Sequence, residues 1–161
     1  MKSSLLRWTP VLLVGVVACA ESEARMREMV TSELNTVTDA FQESIVNLDA
    51  DAYLSIFAPE SELRFTRDGQ VVVGLHDEVR LQFGYVESME CDWPSRWVTV
   101  LSREAATVTF TYDCTGQNHD GQEWEGGGAW TNVFQSRGDR WIVVEVHESH
   151  SFPGEGEQSS P

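Results

Sequence analysis

Glu148 and His150 stand two residues apart near the C-terminus of the chain, in the run Trp141-Ile142-Val143-Val144-Glu145-Val146-His147-Glu148-Ser149-His150. The run reads as a strand, and side chains two apart on a strand share a face. A carboxylate beside an imidazole holds the ring's tautomer and raises its basicity, so His150 is a candidate general base or acid with Glu148 as its partner. The plainer alternative is a solvated pair at a strand end. His147 and His150 do not make a metal pair, because at i and i+3 on a strand they face opposite sides, whereas two ligands must converge on one ion. Glu145 and His147 share a face but lack a third ligand, so no metal and no cofactor is expected. His76 and His119 carry no assignment, and no nucleophile elbow supports a Ser-His-Asp triad. Gly126-Gly127-Gly128 is not a phosphate loop: no Lys-Ser/Thr pair follows it, and Glu123 and Glu125 are adjacent.

The elements that must position these groups are legible in the hydrophobic periodicity. Apolar residues at 26, 30, 34, 37, 41, 45 and 48 recur every three or four positions, one amphipathic helix rather than a coiled coil, since the pattern stops at Asn47-Leu48-Asp49. Asp49 is an N-cap for a short second helix carrying Tyr53, Ile56 and Phe57, ended by Pro59. Glu62–Thr66 and Gln70–Val73 flank Arg67-Asp68-Gly69, which is hairpin chemistry. Residues 74–86 form a third helical stretch with Val79, Phe83 and Val86 at compatible spacing. The chain beyond is β. Val108, Phe110 and Tyr112 alternate with Thr107, Thr109 and Thr111, and Trp124–Phe134 and Trp141–His150 complete a meander around Ser136-Arg137-Gly138-Asp139. Helices first and long antiparallel strands after them make an α+β domain, with Gly126-Gly127-Gly128 bending one strand.

Composition bounds the partners. Over 161 residues, 11 Lys plus Arg oppose 26 Asp plus Glu, a net charge of -15. Such a field repels phosphate backbones and anionic lipid surfaces, which excludes nucleic acid as a partner. The first residues, MKSSLLRWTPVLLVGVVACA, carry Lys2 and Arg7, then an apolar run too short to span a bilayer, then small residues ending at Cys19. Val16-Val17-Ala18-Cys19 resembles a bacterial lipobox, apart from Val16 where Leu is usual. The expectation is a lipoprotein signal over 1–18, lipidation of Cys19 and a polar tether over 19–25. The domain would then be exported and held by acyl chains at a membrane, facing the periplasm or cell exterior. The alternative is an ordinary cleaved signal. Residues 152–161 read as a loose tail.

Two cysteines then remain, Cys91 and Cys114, and an even pair in an oxidising compartment points to a disulfide rather than two free thiols. Pairing the strands Trp97–Ser102 and Ala106–Tyr112 about Arg103-Glu104 sets Cys114 opposite Ser95. The Asp92-Trp93-Pro94 segment must then curl back to bring Cys91 within reach.

The order of these elements, with Asp49-x-Asp51-Ala52-Tyr53, Phe57-Ala58-Pro59, Gly69 with Gly74, and Gly138-x-x-Trp141 leading into His-x-x-His-Ser, resembles the nuclear-transport-factor-2-like superfamily and within it the SnoaL-like branch. The resemblance covers about residues 30–151, essentially the whole of an expected SnoaL-like domain over 26–151. It implies a cone, a cystatin-like roll in which a curved antiparallel sheet packs on three N-terminal helices and leaves an apolar pocket open at one end. Members include isomerases, cyclases and dehydratases beside binding and assembly domains, so fold alone does not fix function. Aligned through Phe57-Ala58, the tyrosine, base and second acid of ketosteroid isomerases fall on Phe41, Phe65 and near Thr131. Phenylalanine neither takes a proton nor stabilises an oxyanion, so that route to isomerisation is absent. The same alignment lines the pocket with Phe41, Tyr53, Phe57, Phe65, Phe83, Phe110, Tyr112, Thr131, Val144 and Val146, with Tyr112 or Thr131 placed to orient a substrate carbonyl or hydroxyl.

Three functions follow. The first is a membrane-tethered domain that binds a small apolar molecule in its cone. The second is a SnoaL-like isomerase, cyclase or dehydratase with His150 as base. The third is an assembly module that forms a homodimer through the outer sheet face, with Thr107, Thr109, Thr111, Trp124 and Trp130.

Overall fold

The computed structural model describes residues 11–151, with side chains from residue 21 onward. Residues 1–10 of the expected 1–18 signal, the side chain of Cys19 and the expected tail over 152–161 lie outside the described residues. Helix α1 (Val11–Val46) continues without a break through 21–25, where a tether was expected. It buries Val30, Leu34 and Phe41 of the predicted stripe, and Thr38 beside them. Helix α2 (Ala50–Leu54) begins at the expected cap: the Asp49 side chain accepts the Ala52 backbone N–H at 2.9 Å. Strands β1 (Arg64–Arg67) and β2 (Gln70–Val72) form a hairpin whose two turn residues, Asp68 and Gly69, have φ of 49° and 77°. Two positive φ values are what a tight two-residue turn needs to match strand twist. Helix α3 (Leu75–Tyr85) follows, then the long strands β3 (Val86–Val100), β4 (Ala105–Asn118), β5 (Glu123–Arg137) and β6 (Arg140–Ser151).

The six strands form one curved, unclosed sheet in the order β2-β1-β6-β5-β4-β3, wrapped on the helices as an α+β cone. One pairing departs from the expected antiparallel layer: β1 lies parallel to β6, with Phe65 opposite Val146 and Arg67 opposite Glu148. That pairing brings the β1–β2 turn against the end of the last strand. The core is aromatic. Phe41 contacts Tyr53, Phe57, Phe110 and Trp130 at centroid distances of 5.1 to 6.1 Å.

Two bulges set which residues face inward. On β6, Glu145 pairs with Val133 and Val143 with Phe134, so Val144 is the extra residue. Trp141 and Val143 face the core before it, and Val146 and Glu148 after it. The expected inward face through Val144 and Val146 is therefore broken, and Val144 is only half-buried and outside the core. On β3 the register shifts between Asp92 and Ser95, which places Trp93 and Pro94 in a bulge on an edge strand, where a residue without N–H is tolerated. Cys91 thus stands opposite Cys114, where Ser95 was expected, with Cα atoms 4.1 Å apart and the disulfide formed; the bulge supplies one residue of that difference, and the pairing of Val100 with Ala106 at the turn supplies the rest.

Strand β5 has the opposite phase to the expected one. Trp130, Asn132 and Phe134 point inward, each nearly fully buried, and Thr131 points outward, its Oγ1 3.0 Å from Thr109 Oγ1. The polar Asn132 is tolerated inside because its Oδ1 accepts the Trp130 Nε1–H at 2.6 Å.

Candidate functional site

Between α1, α3 and the inner face of the sheet lies a cavity of about 470 Å³. Its walls are aromatic: Phe41, Tyr53, Phe83, Trp93, Phe110, Tyr112, Trp124 and Trp130 all line it. Its polar end is built by β1 and β6, with Arg67, Glu148 and His150 reaching the lining.

Glu148 is the centre of this group. It is 5% exposed, a depth at which a carboxylate must be paired. Arg67 Nε donates to Glu148 Oε2 at 2.6 Å and Tyr112 Oη donates to Oε1 at 2.9 Å. The guanidinium also donates to Glu78 of α3, so two carboxylates share one cation, and its plane lies over the Phe65 ring at 5.1 Å. His150 is oriented from the turn: its backbone N–H donates to Asp68 Oδ1 at 2.8 Å, and its Nδ1 lies 2.7 Å from Asp68 Oδ2. A carboxylate only accepts, so this contact fits the tautomer with the proton on Nδ1. The Nε2 of the same ring is 3.5 Å from Glu148 Oε1. The expected carboxylate–imidazole couple is thus present in a different form, with Asp68 as the nearer carboxylate and Glu148 engaged chiefly by Arg67 and Tyr112.

Electrostatics follow this geometry. Burial opposes the Arg67 charge, but the hydrogen bonds to Glu78 and Glu148 outweigh it and raise its pKa above the usual value. The hydrogen bonds from His150 hold Asp68 below the ordinary carboxylate range. Tyr112 and Tyr53 both resist ionisation, first through burial and next through the Glu148 charge.

Glycine makes the arrangement possible at one point on β5. A Cβ at Gly128 would stand 2.1 Å from the Ser149 carbonyl oxygen and 3.1 Å from the Tyr112 hydroxyl. The strands therefore close around the Tyr112–Glu148 contact only because position 128 has no side chain.

Residues 30–152 match the calcium/calmodulin dependent protein kinase II association domain family, about three-quarters of the chain. The chain belongs to that family. Solved structures similar to it share the nuclear-transport-factor-2-like fold. A nuclear transport factor 2-like superfamily protein from Salmonella enterica serovar Typhimurium has a TM-score of 0.67 at 19% identity, covering 83% of this chain and 99% of that one. The association domain of the Caenorhabditis elegans kinase has a TM-score of 0.60 at 16% identity, covering 76% and 96%. A dehydratase candidate from Streptomyces avermitilis has a TM-score of 0.66 at 16% identity, covering 78% and 98%. Among curated proteins no sequence match is found.

In this association-domain cone, the cavity lining includes Phe41, Tyr53, Phe83, Phe110 and Tyr112 from the expected set. Phe57, Phe65 and Val146 lie instead in the solid core, and Thr131 and Val144 are not in the lining because the β5 phase and the β6 bulge turn them away. Trp130, expected on the outer face, lines the cavity, and so does Trp124. Arg67, Asp68 and Glu78 were not anticipated. One signal for Arg67 was available: it alternates with Phe65 and so shares that residue's inward face. His147 sits on the outer face, its Nδ1 3.1 Å from Thr66 Oγ1, opposite in direction to His150.

Proposed function

We propose that this association-domain protein binds a small, mainly apolar molecule in the cone, with one polar group of the ligand meeting Arg67, Glu148 and His150. The observation that carries this reading is the roughly 470 Å³ aromatic cavity closed at one end by a hydrogen-bonded charge cluster, the composition of a small-molecule site. Native mass spectrometry of the full chain purified from its host tests it: a retained ligand supports the reading, and its absence together with no ligand-induced shift in a compound screen overturns it. The proposal includes the anchor. Cys19→Ser is expected to move the protein from the membrane fraction to the soluble one, and unchanged fractionation would refute the lipoprotein reading.

A second reading is proton-transfer catalysis with His150 as base, favoured by the Asp68–His150 contact at the cavity. His150→Ala would then abolish turnover with little change in thermal stability. Assembly is compatible with either reading. The outer sheet face, where the row of Thr107, Thr109, Thr111 and Thr131 borders the 56%-exposed Trp97, is a surface suited to self-association.

A further inference from the structure

We propose that the ligand of this cavity is an organic cation: an ammonium group carried on an aromatic or aliphatic body. The inference rests on the small-molecule reading above and deepens it by assigning the charge of the ligand.

The walls and the polar end both favour positive charge. Aromatic faces attract cations through their quadrupole, and Tyr53, Trp93, Tyr112 and Trp124 supply such faces from several sides. At the polar end Glu148 and Glu78 share a single guanidinium, and Asp68 pairs with His150 beside them. Arg67 is the one Arg or Lys in the lining among the described residues, and it is engaged by two carboxylates at once. An anionic ligand reaching Arg67 from the cavity would compete with the buried Glu148 and leave that carboxylate without its cation, a costly exchange at its depth. Even with His150 protonated, the cluster keeps a net negative charge. The far rim adds another carboxylate, since Asp120 accepts the hydroxyl of the lining residue Tyr85 at 2.6 Å.

The tyrosines report the same sign. At both Tyr53 and Tyr112 the Glu148 charge opposes ionisation more strongly than Arg67 favours it. The buried Glu148 carboxylate, bonded to Tyr112 at the lining, places negative charge where a ligand head would sit. The net charge of -15 over the whole chain extends that field outward and steers cations toward it.

Three probes of nearly equal size separate the possibilities: 2-phenylethylammonium, 2-phenylethanol and 3-phenylpropionate. Each is titrated into the full chain at neutral pH, with quenching of the cavity tryptophans and calorimetry as readouts. The ammonium is expected to bind about tenfold more tightly than the alcohol, the carboxylate more weakly than both. Added NaCl should weaken the ammonium and leave the alcohol unchanged. If the alcohol or the carboxylate binds as tightly as the ammonium, the charge assignment is overturned while the cavity remains a binding site. If none of the three binds, the charge assignment is overturned, while the small-molecule reading stands or falls on the native mass spectrometry and compound screen that test it.

Discussion

Asp68 and His150 are joined twice across 82 residues of sequence, once through the His150 backbone N–H and once through its ring Nδ1. Asp68 reaches both atoms because it occupies the tip of the β1–β2 turn at φ 49°, and the parallel β1–β6 pairing carries that tip to the end of the last strand. The ring is therefore positioned by a turn residue, while its own strand supplies the carboxylate that faces its other nitrogen.

The contact has a pH signature. The hydrogen bonds from His150 lower the Asp68 pKa in the folded state below its ordinary value of 3.8. A carboxyl group depressed on folding adds stability above its unfolded pKa and loses it as pH falls through the folded value. Asp68→Asn keeps a residue that tolerates positive φ and removes the charge. The unfolding midpoint of the wild-type protein should exceed that of the variant near neutral pH, with the gap closing below about pH 4. A gap that is constant with pH would show that the charge is not what holds the turn to His150.

Arg67 and Glu148 are neighbours in the parallel register, and their side chains are 25% and 7% exposed. Removing Arg67 leaves the buried Glu148 carboxylate without its cation, at a cost of about 3 kcal/mol. Arg67→Met leaves Glu148 with Tyr112 as its hydrogen-bond donor, and Glu148→Leu leaves Arg67 with Glu78. Denaturant unfolding of both single variants and the double variant forms a cycle. The double variant should lose less than the two single losses combined. Additive losses would mean that the two side chains are held independently by their other partners.

The helices could be read from the sequence because a stripe recurring every three or four residues has one interpretation, as at Val30, Leu34, Phe41 and Ile45. The inner face of the sheet was harder. In β5 both phases carry apolar residues, Ala129 and Val133 on one side and Trp130 and Phe134 on the other, and the inward set includes Asn132, whose burial depends on a partner two residues away. Volume is the better guide there, since the cone fills its interior with the larger set. The bulge at Val144 leaves no mark in composition, because all residues from Ile142 to Val144 are apolar and any of them fits either face. The charge cluster was half legible: Glu148 and His150 come from one strand, while Arg67, Asp68 and Glu78 arrive through a parallel pairing that no local pattern encodes.

The corrected phase of β5 also makes the outer face testable. Thr131 points outward and hydrogen-bonds Thr109, and in the same cross-strand row stand Trp97 and His147. A charge placed in that row faces solvent in a monomer and costs little, since surface substitutions stay within about 0.5 kcal/mol. In a symmetric dimer formed through this face, the same charge would meet its copy across a desolvated interface. Thr131→Glu should therefore shift the sedimenting species to monomer, with the thermal midpoint extrapolated to low protein concentration unchanged. Because Thr131 lies on the opposite side of the sheet from the cavity, binding of 2-phenylethylammonium should survive the change. If Thr131→Glu sediments as the wild-type protein does, the sheet face is not where copies of this chain meet, and association, where it occurs, uses another surface.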